Sequence, residues 1–336
     1  MHGVCTPARN HASCHAMSLD LATIQAAHAR IRPHITRTPV LTNARLNAAC
    51  GGKLFFKCEN LQKAGAFKAR GATNAVFSLA DVEALRGVAT HSSGNHAAAL
   101  ARAAKLRRIP AYIVMPSNSA KPKIRLVEAY GGRITFCEPN QAAREATCLR
   151  LLEETLANLV HPFEDERVMA GQGTAALELL EEIPDLDYLL CPVGGGGLLC
   201  GTAVAARALR PQIKIVGTEP AGADDAARSF RAHQRIPLTT SDTIADGLRT
   251  SIGQTNFALA RQYVDDIVTV SEAGIVAAMH MIWDAVKIVI EPSAAVPYAA
   301  IMEQRLDVTH RRVGIILSGG NVDLDALPWI GKKGAP

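Results

Sequence analysis

Hydrophobic positions along the chain follow two periods in alternation. Short apolar runs of strand length occur at 53–58, 111–115, 133–137, 188–193, 213–217, 267–270 and 313–317. Between them, 97–106, 142–156, 174–182 and 275–288 space their apolar residues at three and four, which predicts amphipathic helices. Near the N-terminus, Ser18-Leu19-Asp20 followed by LATIQAAHARI reads as a capped helix. Strand and helix alternating in this order predict βαβ units, and so an α/β chain with open, mainly parallel sheets.

Three segments share one plan: an apolar strand, a Gly- and Ser-rich turn, then a helix or tight turn. They are VATHSSGNHAAALARAAKL, YLLCPVGGGGLLCGTAVAARAL and VGIILSGGNVDLDAL. No fixed period links them, so the chain is not a repeat array. Ligands of open α/β sheets gather beyond the carboxyl ends of the strands, where these turns converge.

Composition narrows the class. Over 336 residues, 48% hydrophobic and 20% charged residues fit a globular chain with a large buried core and argue against general disorder. A net charge of +5, spread without a Lys/Arg block, leaves no nucleic-acid footprint. The eight cysteines (Cys5, Cys14, Cys50, Cys58, Cys137, Cys148, Cys191, Cys200) form no CxxC pair and no zinc spacing. Several lie in apolar runs, as reduced core thiols of a cytoplasmic protein would. Residues 1–17 are polar, contain histidine and lack the apolar stretch of a secretory signal. They are expected to be a disordered leader, with Met17 an alternative start. No run approaches the roughly 18 apolar residues of a membrane span.

Chemistry concentrates in three places. Gly194-Gly195-Gly196-Gly197 follows a buried strand and opens a helix near Leu198. Backbone without Cβ atoms can approach a phosphate closely, and the helix N-terminus adds partial positive charge. Alone, the run reads equally well as a flexible turn, and it is neither GxGxxG nor a P-loop. Lys68 follows the Ala64-Gly65 turn and precedes a predicted helix. Partial desolvation there would lower its pKa, as an imine-forming amine requires, although an isolated lysine is more often solvated. His91-Ser92-Ser93-Gly94-Asn95-His96 leads into an Ala-rich helix, where hydroxyls and free amides suit a carboxylate and equally suit an ordinary N-cap.

Together these segments resemble the serine/threonine dehydratase and serine racemase family, within the fold-type II (tryptophan synthase β-like) enzymes that use pyridoxal 5′-phosphate (PLP). Nine blocks match in order: KCENLQKAGAFKARGA, THSSGNHAAALA, HPFEDERVMAGQGTAALE, PVGGGGLL, TEPAGADDAARS, TIADGL, VDDIVTV, IEPSAA and LSGGNVDL. The resemblance implies two open, mainly parallel sheet lobes with the active site between them. Residues 18–86 and 160–330 would form the large PLP-binding domain and 87–159 the small one. It further implies that Lys68 bears PLP as a Schiff base, Phe67 packs beside the ring and Asn95 hydrogen-bonds the ring hydroxyl. Gly194, Gly195, Gly196, Gly197 and Leu198 would bind the phosphate, and Ser318 would meet the pyridine nitrogen. The loop of Ser92, Ser93, Gly94, Asn95 and His96 would hold the substrate carboxylate. Ser93 matches the acid/base of the racemase branch that faces Cα opposite the lysine, and Lys68 would take the Cα proton.

Glu219, Ala223 and Asp225 match a divalent-cation site of the family, with hard oxygens suited to Mg²⁺, Mn²⁺ or Ca²⁺. Read alone, Glu219 is a helix cap and Asp225 a solvated acid. Departures from the family pattern lean towards a lyase. Phe163 is dehydratase-like, and Ala97-Ala98 replaces the Gly-Gln near the nucleotide site of mammalian racemases, which puts nucleotide activation in doubt despite Lys287 and Asn321. The Gly-Ala-Phe-Lys form at Ala66 resembles 3-hydroxyaspartate dehydratases, and Arg144 matches a racemase arginine able to meet a second carboxylate. The expected reaction is dehydration and deamination of L-serine, L-threonine or 3-hydroxyaspartate, with serine racemisation as the alternative. The small amino-acid substrate, homodimerisation and absence of nucleic-acid or membrane partners complete the expectation. The chain stops soon after the Ser-Gly-Gly-Asn turn, so no C-terminal regulatory domain is expected.

Overall fold

The structure, a computed structural model, describes residues 19–92, 94–119 and 121–330. The expected leader at 1–17 and the candidate acid/base Ser93 lie outside the described residues.

Among the described residues, ten strands form two sheets: β1 (Val40–Leu41), β2 (Lys53–Cys58), β3 (Val88–His91), β4 (Ala111–Pro116), β5 (Arg133–Cys137), β6 (Asn158–Leu159), β7 (Tyr188–Pro192), β8 (Lys214–Pro220), β9 (Asp266–Val270) and β10 (Arg312–Leu317). The larger sheet has the order β1-β2-β10-β7-β8-β9, and the smaller has the order β5-β4-β3-β6. Every pairing is parallel except that of the two-residue edge strand β1 with β2.

The unbroken apolar runs have a direct cause. Side chains alternate across a strand, so a strand covered on both faces must be apolar at every position. In β7, Leu189 and Cys191 enter one core with the helices Leu21–Ile31, Glu166–Glu182 and Gly197–Leu209. Leu190 enters a second core with the helices Glu272–Val286 and Pro292–Met302. The small sheet divides likewise: Ile113 and Met115 of β4 pack with the Ala-rich helix Asn95–Arg107, and Val114 packs with Cys148 and Leu151 on the other face.

Helix Glu166–Glu182 begins eight residues before the periodicity predicts. The segment Ala170-Gly171-Gln172-Gly173 looks turn-like in sequence because tertiary contacts demand small residues there. A Cβ on Gly171 would come 2.6 Å from Gly71 Cα, and one on Gly173 would come 2.7 Å from the Gly201 carbonyl. Backbone therefore meets backbone where this helix crosses Lys68–Phe77 and Gly197–Leu209. The N-terminal helix forms as its sequence predicts, with Asp20 accepting from Thr23 N at 2.8 Å.

Helix Lys68–Phe77 is fixed by a buried ion cluster that no sequence pattern announced. Arg70 reaches both carboxylate oxygens of Glu59 and both of Glu178 within 2.7–2.9 Å, and Lys57 Nζ donates to Glu178 at 2.7 Å. Burial opposes ionisation of Glu178, but Arg70 and Lys57 outweigh it and hold the carboxyl below its ordinary range.

Candidate active site

The carboxyl ends of β3, β7 and β10 open onto one cleft of about 440 Å³ between the two sheets. Phe67, Lys68, Ser92, Gly94, Asn95, His96, Arg144, the four glycines, Leu198 and Ser318 all line it. Residues up to 251 positions apart in sequence, from Phe67 to Ser318, thus meet at the carboxyl ends of these strands. Glu219, Ala223 and Asp225 are not part of this lining.

Lys68 is the first residue of its helix, with Arg70 anchored two positions on. Its Nζ donates to the Pro162 carbonyl at 2.6 Å and lies 5.2 Å from the Phe67 ring centre. Desolvation inside the cleft pulls the ammonium down to about 8, which leaves about a tenth of it neutral at pH 7.

Helix Gly197–Leu209 starts at the last glycine, so its first amides have no intrahelical acceptor and lie at the loop. Two of the glycines are required by geometry. A Cβ on Gly195 would stand 2.3 Å from the Phe163 ring, and Gly196 adopts φ +92°. The loop is held from behind: Asn256 Nδ2 and Gly253 N donate to the Gly195 carbonyl at 2.6 and 3.1 Å. This shaped backbone cradle, a desolvated amine and a buried Ser318 fit an aldehyde that carries a phosphate.

The histidines of the cleft are neutral. Burial drives His96 well below its ordinary value and His91 down to about 4. His96 Nε2 faces the Val160 carbonyl at 3.2 Å, so that nitrogen carries the proton. His161 Nδ1 accepts from Glu164 N at 2.9 Å, which puts its proton on Nε2. Burial lowers Arg144, at the same end of the cleft, from its ordinary range.

Several cleft residues were not singled out in the sequence: His161, Lys123, Asp246 and Glu291. Lys123, from helix Lys121–Ala129 beside the small sheet, pairs with Asp246 of the large lobe. Glu291 did carry a signal, since it is a lone acid in the otherwise apolar or small run Ile288-Val289-Ile290-Glu291-Pro292-Ser293-Ala294-Ala295.

Away from the cleft, Glu219 is the penultimate residue of β8 and accepts from Ala226 N and Ala227 N at 3.2 and 2.9 Å. Asp225 Oδ2 accepts from Ile252 N at 2.8 Å, while its Oδ1 is buried without a hydrogen-bond partner among the described residues. Burial raises Glu219 well above the carboxylate range and Asp225 to about 6. Two neighbouring buried carboxyls with an orphan oxygen fit a hard cation. The described residues contain no cluster of three His, Cys, Asp or Glu side chains suited to a metal, so such a site needs a backbone carbonyl such as that of Ala223.

Two parallel-sheet lobes around a lysine cleft define a fold-type II PLP enzyme. The family profile described as pyridoxal-phosphate dependent enzyme matches residues 31–319, and the chain belongs to that family. It is 50% identical to the β-hydroxyaspartate dehydratase of Paracoccus denitrificans over 90% of this chain and 96% of that protein. It is 49% identical to the serine racemase of Arabidopsis thaliana over 92% of this chain and 95% of that protein. The structure of maize serine racemase superposes with a TM-score of 0.89 at 47% identity, covering 91% of this chain and 94% of the maize chain. Among the described residues no helix is long and apolar enough to cross a membrane.

Proposed function

We propose that the protein is a PLP-dependent dehydratase (ammonia-lyase) that converts a small β-hydroxy amino acid to a 2-oxo acid and ammonia. The candidate substrates are L-serine, L-threonine and 3-hydroxyaspartate. The observation that carries this reading is a half-buried Lys68 amine, lowered to about 8, in the same cleft as the tetraglycine, Asn95 and Ser318. When bound, PLP supplies an electron sink for the bonds at Cα. Lys68 would be the residue that holds the cofactor's aldehyde end, and its neutral amine would serve as the base that takes the Cα proton. Gly194, Gly195, Gly196, Gly197 and Leu198 hold the phosphate by backbone amides. Asn95 would hydrogen-bond the ring oxygen, and Phe67 walls one side of the cleft. Ser318 would offer the pyridine nitrogen a hydroxyl rather than a carboxylate, an environment that favours β-elimination over transamination. Ser92, Gly94, Asn95 and His96, with the helix N-terminus they form, would bind the substrate carboxylate, and Ser93 would be the second acid/base at Cα. Loss of the Cα proton and the β-hydroxyl releases water, and the product enamine hydrolyses to the 2-oxo acid and ammonia.

Arg144 supports binding of a second carboxylate and with it 3-hydroxyaspartate, as does the similarity to the Paracoccus enzyme. The likeness to two plant serine racemases supports a second reading, serine racemase with side dehydratase activity. The reduced, buried thiols Cys58, Cys148, Cys191 and Cys200 support a cytoplasmic setting, and the family supports a homodimer. Glu219, Asp225 and the Ala223 carbonyl would hold Mg²⁺, Mn²⁺ or Ca²⁺. The experiment is a kcat/KM panel over L-serine, L-threonine, D-serine and both 3-hydroxyaspartate diastereomers, with 2-oxo acid and enantiomer followed together. Inversion outpacing 2-oxo acid release would replace the lyase reading with the racemase one.

A further inference from the structure

Glu291 is buried to 98% (2% exposed) at the cleft, just before helix Pro292–Met302. Its Oε1 accepts from Asn95 Nδ2 at 2.8 Å, and its Oε2 is buried with no hydrogen-bond partner among the described residues. On the other side of Asn95, Asn321 Nδ2 donates to Asn95 Oδ1 at 2.9 Å and to the Ala64 carbonyl at 2.8 Å. The chain of bonds therefore has one sense. The Ala64 carbonyl can only accept, so it fixes the nitrogen of Asn321, which in turn fixes the oxygen of Asn95. A flipped Asn95 would set nitrogen against nitrogen at Asn321 and, with Glu291 ionised, oxygen against oxygen at its carboxylate. The observed sense leaves the second amide hydrogen of Asn95 with no acceptor among the described residues, available to a ligand.

We propose that Glu291 is a positioning residue that sets which end of the Asn95 amide faces the cleft, and so governs how tightly the chain holds the ring oxygen of PLP. The inference rests on the cofactor reading above. Room for the carboxyl is built in, since a Cβ on Gly319 would stand 2.5 Å from Glu291 Oε1. The charged groups that face it are Lys123, from the helix beside the small sheet, and Asp246 of the large lobe. Burial raises Glu291 to about 7, with Lys123 pulling the other way, so the acceptor changes its charge within the working pH range.

The test measures PLP affinity of the full chain by dialysis, with the pH dependence of the visible cofactor band recorded alongside. Glu291→Ala and Asn95→Ala each weaken PLP binding by about tenfold, in keeping with one hydrogen bond. If Glu291 acts through Asn95, the double variant binds no more weakly than Asn95→Ala alone. Losses that multiply to about a hundredfold overturn the inference. Glu291→Gln keeps an acceptor without a proton to lose and keeps the question open even if the alanine variant misfolds. It holds PLP within about twofold of the natural chain and lacks the component of the pH profile near 7, and persistence of that component would sink the proposal. A natural chain that takes up no PLP overturns the cofactor reading and this inference together. Uptake with multiplying losses overturns the inference alone.

Discussion

Lys68 sits at the meeting point of two demands: it must be desolvated enough to be neutral and still be reachable. The cleft pulls it to about 8 by burial. The rate of PLP capture by apo-protein is therefore expected to climb with pH and level off above about 8, rather than near the 10.5 of a solvated lysine. Lys68→Ala should abolish the borohydride-reduced PLP adduct, read from the mass of the peptide, and lower turnover more than about a thousandfold. An adduct that survives on another residue would refute the assignment. At this scale the sequence was most legible where chemistry is local. A lysine at a helix start and four glycines after a buried strand are contiguous signals, and both line the cleft. Glu291 and His161 were missed because their significance comes from what burial places beside them.

At the scale of elements, the lysine's helix owes its position to Arg70. Four buried charges, Lys57, Glu59, Arg70 and Glu178, satisfy one another almost completely. Removing one partner leaves uncompensated charge, so Arg70→Ala should cost about 3–5 kcal/mol in denaturant unfolding. An unchanged midpoint would show that the cluster contributes nothing net. The depressed pKa of Glu178 gives stability that is present above its unfolded value of 4.5 and lost as pH falls through the lower folded value. The same unfolding series repeated toward acid pH should show that loss in the natural chain. Helix Glu166–Glu182 shows why element boundaries are harder to read than their existence. Its Gly171 and Gly173 look like breakers locally, and the crossing helices that require them are remote in sequence.

At the scale of the whole molecule, the strand segments predicted an α/β fold with parallel sheets, yet periodicity carries no pairing order. β10, last in the chain, lies between β2 and β7 in the sheet, a placement set by non-local burial on both faces. One segment then links two distant parts of this architecture. Ile252 N donates to Asp225, while Gly253 N and Asn256 Nδ2 hold the Gly195 carbonyl of the glycine loop. Addition of Mg²⁺ to chelator-treated protein should raise its melting temperature and tighten PLP binding, while chelator should reverse both. No response in either measurement would remove the cation from the proposal.

The shared strap also makes the exchange mutual. Free energy is a function of state, so whatever factor an ion at Asp225 adds to the hold on the vitamin, the vitamin must add to the hold on the ion. A cell short of either would loosen its grip on both.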